Sequence, residues 1–190
     1  MLGDATRVCH ADAITVPLLP RLGSGVGRSA AATCSEIAGL AEVAAAAALL
    51  DRLHAIGEAG LVAQLPTLAD LARLFPEEAD EDREDALNDL VRIGLEAGAQ
   101  VVVVRASNDG ELSGSLEAVA PLATYYCSTL LGVDGQRASA FNDSCQVAVL
   151  DRGGRWPELS SGVVLTVGDL TEWWTPDDLR TVLSGRADGG

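Results

Sequence analysis

Lysine does not occur in this chain of 190 residues; all thirteen basic side chains are arginine. Without a side-chain amine there is no Schiff base, no covalent pyridoxal phosphate and no Walker lysine on a phosphate. Histidine is nearly as scarce, with only His10 and His54 to serve as base or ligand. The four cysteines, Cys9, Cys34, Cys127 and Cys145, form no CxxC pair, which argues against a zinc site of the usual close ligand spacing. Aromatic residues make up 4% of the chain, so the core is expected to be aliphatic and built from Ala, Val and Leu. No apolar run approaches the roughly 20 residues that span a bilayer. The most apolar stretch, residues 37–50, contains Glu42. Residues 1–7 lack a basic stretch followed by an apolar one, so no secretory leader is expected. The expected compartment is the cytoplasm, with reduced thiols.

Positive charge is also in short supply. The formal net charge is −15, which argues against a nucleic-acid backbone or an anionic membrane as partner, since both require a basic face. The usage of Ala, Gly, Val and Arg suggests a GC-rich bacterial coding bias. What the chain has in quantity is apolar surface, at 48% of residues, enough for a real core. A domain of this size hides about 70% of its unfolded surface, so one globular domain over 1–190 is expected, frayed from about residue 186.

Along the chain, residues 12–19 read as a strand limited by Pro17. A Gly-rich stretch follows, then Ala-rich sequence with good helix formers to residue 56. Ile37, Leu40, Ala44, Ala47 and Leu50 recur at helical spacing, which predicts one core-facing stripe. Pro66 and Thr67 open a short helix carrying Leu68, Leu71 and Leu74. A helix over 81–97 is expected to stop at Gly98 and to feed a central strand over 99–105, which contains four consecutive valines. Residues 108–110 read as a turn, 113–131 as a helix interrupted at Pro121, and 132–144 as a loop. Strands are expected at 146–150 and 162–167, as an antiparallel or parallel pair, and a last helix is marked by Thr175 and Pro176. The fold class implied is α/β: a mixed, mostly parallel sheet of about four or five strands flanked by helices.

Four constellations carry chemistry. Gly23-Ser24-Gly25-Val26-Gly27-Arg28-Ser29 follows a strand and precedes a helix, the order in which backbone N–H groups hold a phosphate. These seven residues resemble a degenerate P-loop, closest to the variant of the MinD/ParA-like ATPases. The resemblance implies phosphate binding by Gly23, Ser24, Gly25, Gly27, Arg28 and Ser29. Leu22 stands where the general motif has its first glycine, Arg28 replaces the lysine, and the variant's extra lysine is missing. For thiol chemistry, Cys9 adjoins His10 and Cys145 stands at the entrance to a strand. A nucleophilic cysteine needs a base in hydrogen-bond reach, and His10 and His54 are the two available. Cys127, in contrast, reads as a core residue on a helix. Asp151 and Asp169 each follow a strand, so a parallel pairing would bring both to one carboxyl edge. Trp173 and Trp174 precede the last helix, where they staple its start or anchor a partner.

The leading expectation is a non-catalytic binding, regulatory or assembly domain, because no intact catalytic motif or metal spacing is present. Its partner is a protein or a second copy, with Ala41, Ala45, Trp173 and Trp174 at the interface. The first alternative is a nucleotide- or phosphate-binding domain, the second a small enzyme using a cysteine or a carboxylate pair. No cofactor is assigned, and a small-molecule ligand is compatible with either alternative.

Overall fold

Residues 101–104 are all valine, and β-branched side chains on alternate sides of an extended backbone suit a strand covered on both faces. The computed structural model describes residues 13–19, 33–57, 59–106, 109–134, 137–141, 147–150 and 164–167. The valines open β3 (Val101–Ala106), the middle strand of a five-stranded sheet. Val102 and Val104 are buried on one side of it and Val103 on the other. The remaining strands are β1 (Ala13–Pro17), β2 (Gly60–Leu65), β4 (Thr129–Asp134) and β5 (Arg137–Ala140). They lie in the order β1-β2-β3-β4-β5, parallel throughout except for the antiparallel β4–β5 pair. The sheet is therefore mixed and mostly parallel, as its sequence implies.

The strand order steps in one direction from β1 to β4. Crossovers of a single hand then place every connecting helix on the same face. Those helices are a 3₁₀ helix (Cys34–Gly39) with α1 (Ala41–Ile56), then α2 (Leu68–Leu74) and α3 (Asp80–Glu96), then α4 (Asp109–Tyr125). The larger core unites Val43 and Leu50 of α1, Leu71 of α2, Leu87 and Leu90 of α3 and Val119 of α4. Their sheet partners include Val16, Leu61, Leu65, Val102 and Leu130. The opposite face has its own small cluster, Val62, Val103, Leu131 and Val133, and no residue of a described helix belongs to it. At roughly 1.5–3 kcal/mol for each fully buried Val or Leu, most of the apolar stabilisation among the described residues lies on the helix face.

The α3–β3 unit shows how closely this packing is set. Three carboxylates, Asp80, Glu81 and Asp82, occupy the first turn of α3, where the helix dipole favours negative charge. Leu87, Leu90 and Val91 then face the sheet, and Gly94 lets the backbone approach it. A Cβ on Gly94 would lie 2.8 Å from the Ala63 Cβ. The helix ends in a Schellman motif: Gly98 takes φ +98°, its N–H donates to the Leu95 carbonyl, and the Ala99 N–H donates to the Gly94 carbonyl.

Several expectations need correction. The Ala-rich segment is not one continuous helix from its start: Leu40, at φ −63° and ψ 137°, separates the 3₁₀ helix from α1. That break resets the helical phase, so the buried stripe of α1 is Val43, Ala46, Leu50 and Leu53, while Ala44 is exposed. Asp109 and Gly110 begin α4 and are not a turn. Pro121 does not interrupt α4, because Leu116, Val119 and Ala123 anchor it in the core on both sides while Pro121 faces solvent. Residues 129–131 belong to β4, and the segment read as a loop supplies the hairpin to β5. β2 has no counterpart among the expected strands. The last two strands, β6 (Val147–Leu150) and β7 (Val164–Val167), form a separate two-stranded sheet and run parallel, so the antiparallel pair is β4–β5. The last helix, from Thr175, and the tail from residue 186 lie outside the described residues.

Candidate functional site

Of the residues expected at an interface, Ala41 and Ala45 fall within the described structure. Alanine at successive positions favours a helix, and Gly57 closes α1 in the left-handed region at φ 68°. With Val43, Ala46, Leu50 and Leu53 turned to the core, the outward face carries Ala41, Ala44, Ala45, Ala48 and Ala55. Ala38 and Gly39 extend this small-sided surface into the 3₁₀ helix, and both are exposed. On α1 the charges on the same side are Asp51 and Arg52, which cancel, while Glu36 is exposed in the 3₁₀ helix. Alanine loses no rotamer entropy on burial, and methyl-sized side chains let a second backbone approach to the short end of the roughly 8–10 Å range for packed helices. Chemically such a surface can pack against another chain and can do little else.

The thiols are separated from the histidine. Cys34 is 1% exposed in the 3₁₀ helix. Burial pushes its thiol above the ordinary range; Glu78 and Asp82 add to the effect and Arg83 opposes it. Cys127 is exposed, not in the core, which corrects the expectation from the sequence. It sits at φ 53° one residue beyond Tyr126, with its N–H donating to the Thr124 carbonyl and the Ser128 N–H donating to the Ala123 carbonyl. This is the motif that ends α3, with cysteine in the glycine position. His54 is exposed in the last turn of α1, and its side chain sits over Gly98. Among the described residues no hydrogen bond joins His54 to either thiol. Cys9, His10 and Cys145 lie outside the described residues.

The Gly-rich loop, Gly23 to Ser29, also lies outside them, but its flanks are placed. β1 leads toward it and the 3₁₀ helix follows it, so a helix of six residues intervenes before α1 begins. Nucleotide crevices in open α/β sheets form where the strand order reverses. Within this five-stranded sheet the order never reverses, and β1 is an edge strand. β6 and β7 run parallel, so Leu150 and Val167 share one end of their sheet; Asp151 and Asp169, like Trp173 and Trp174, lie outside the described residues.

Sequence reasoning missed a polar network at the carboxyl edge of β2. Thr67 is fully buried and caps α2: its Oγ1 accepts from the Asp70 N–H and donates to the Asp70 carboxylate. Ser115 Oγ accepts from the Leu68 N–H and donates to the Glu111 carbonyl. Arg73 spans Asp70 and Glu111 at 2.8 and 3.0 Å. These bonds satisfy one another and tie α2 to α4, so the network secures the fold and leaves no nucleophile poised. The sequence signal for its first half was Thr67 three residues before Asp70.

Among the described residues no group of three or more His, Cys, Asp or Glu side chains is arranged to hold a metal, and no helix is long and apolar enough to cross a membrane. The fold defines an α/β class of protein, and comparison with protein-family models, curated proteins and solved structures finds no match.

Proposed function

We propose that the chain is a non-catalytic binding and assembly domain of a bacterial cytoplasmic system, and that it associates as a homodimer through the outward face of α1. The observation that supports this reading is the division of α1 into a buried stripe and an exposed face of Ala41, Ala44, Ala45 and Ala48. Electrostatics favours the same surface. Two copies at −15 each repel, and contact is least costly where local charge cancels, as it does at Asp51 and Arg52. The outward side of α3, with Glu81, Asp82, Glu84 and Asp85 exposed, is the opposite case. Trp173 and Trp174 are the alternative anchors that the sequence offers for such an interface.

Light scattering at micromolar concentration tests the reading. The expected mass is twice the 19.6 kDa of one chain, and Ala45→Arg is expected to return it to a folded single chain whose melting temperature falls only by what the dimer contributes. Trp173→Ala and Trp174→Ala test the alternative anchors in the same assay. A wild-type mass of a single chain across the concentration series would reject self-association and leave a different protein as the only partner compatible with the reading.

A further inference from the structure

We draw no further inference here: the strongest candidate, the exposed aromatic patch of Tyr125 and Tyr126 beside Cys127 at the C-terminal end of α4, is an unpartnered apolar surface and nothing in the structure shows what covers it.

Discussion

Replacing Cys127 with glycine should stabilise the protein. Cys127 holds φ 53°, where a Cβ crowds the following carbonyl oxygen at a cost of roughly 1–2 kcal/mol. Glycine removes that cost but loses more backbone entropy on folding, which takes back about 0.5–1 kcal/mol. The side chain is exposed, so its removal forfeits little burial. The net gain is about 0.5–1 kcal/mol, or about 1–4 °C in Tm for a chain of this size. Thermal unfolding followed by circular dichroism under reducing conditions reads it directly. Cys127→Ala is the control: it removes the thiol and keeps the Cβ, and is expected within about 0.5 kcal/mol of the parent. Gly98→Ala is the converse, because Gly98 occupies the equivalent place at the end of α3 with φ +98°. Its new Cβ would also fall 2.5 Å from the His54 Cγ. A loss of about 1–2 kcal/mol or more is expected there, and combining it with His54→Ala should recover only part of the steric cost, because the Cβ of residue 54, 2.8 Å from the new atom, remains. A lower Tm for Cys127→Gly beside an unchanged Cys127→Ala would show that left-handed strain does not govern this helix end.

Other substitutions test the packing and the thiols. Arg83→Ala removes the donors that serve the Phe75 and Pro76 carbonyls, at 3.0–3.2 Å, and should cost about 1.5–3 kcal/mol in chemical denaturation. Asp80→Ala breaks the ion pair of the same arginine yet should cost less than about 1 kcal/mol, since the Asp80 side chain is 92% exposed. Thr67→Ala should lose about 1–2 kcal/mol through the buried cap of α2. Alkylation by iodoacetamide at neutral pH, mapped by mass spectrometry, should modify Cys127 well before Cys34, and the reverse order would contradict their burial. Because the Cys34 thiol is raised above its ordinary 9.0, its neutral form stabilises the fold below that pH, and the contribution fades as pH climbs past it. The stability gap between the parent and Cys34→Ala should accordingly narrow at alkaline pH. If the α1 dimer forms, raising salt toward about 0.15 M should strengthen it, as screening weakens repulsion between acidic copies; weakening by salt would point to an ion-paired interface instead.

The parts of the fold legible in the sequence are those where several local signals agree. Acidic residues opening α3, its apolar spacing, Gly98 and the valines of β3 all say the same thing, and the structure follows them to within a residue or two. The misread parts are those where local signals conflict with tertiary context. Leu130 and Leu131 are good helix formers directly after a helix, yet burial on opposite faces of the sheet makes them strand. Cys127 carries no sign of a left-handed conformation, because glycine is the residue that normally announces it. The direction in which β6 pairs with β7 is likewise unwritten in two short apolar runs. For the site, exposure of Ala41 and Ala45 was legible in principle from helical phase, but the break at Leu40 shifts that phase by an amount only the backbone reveals.

Topology narrows where function can reside. A parallel sheet that reverses its strand order opens a crevice between helices on opposite faces, and ligands enter there. The order β1-β2-β3-β4 runs one way, so the described helices share a face and no such crevice is opened by the five-stranded sheet. At its carboxyl edge the polar groups of Thr67, Asp70, Arg73, Glu111 and Ser115 are committed to one another. Redirecting Thr67, Asp70 or Ser115 to a ligand would leave N–H groups at the start of α2 unpaired, at about 1 kcal/mol or more. What the helix layer offers a partner is its outer surface, and its members differ sharply in charge. A strongly acidic chain meets a second copy with least repulsion at the neutral, small-sided face of α1, which is why the assembly reading is placed there and not on α3.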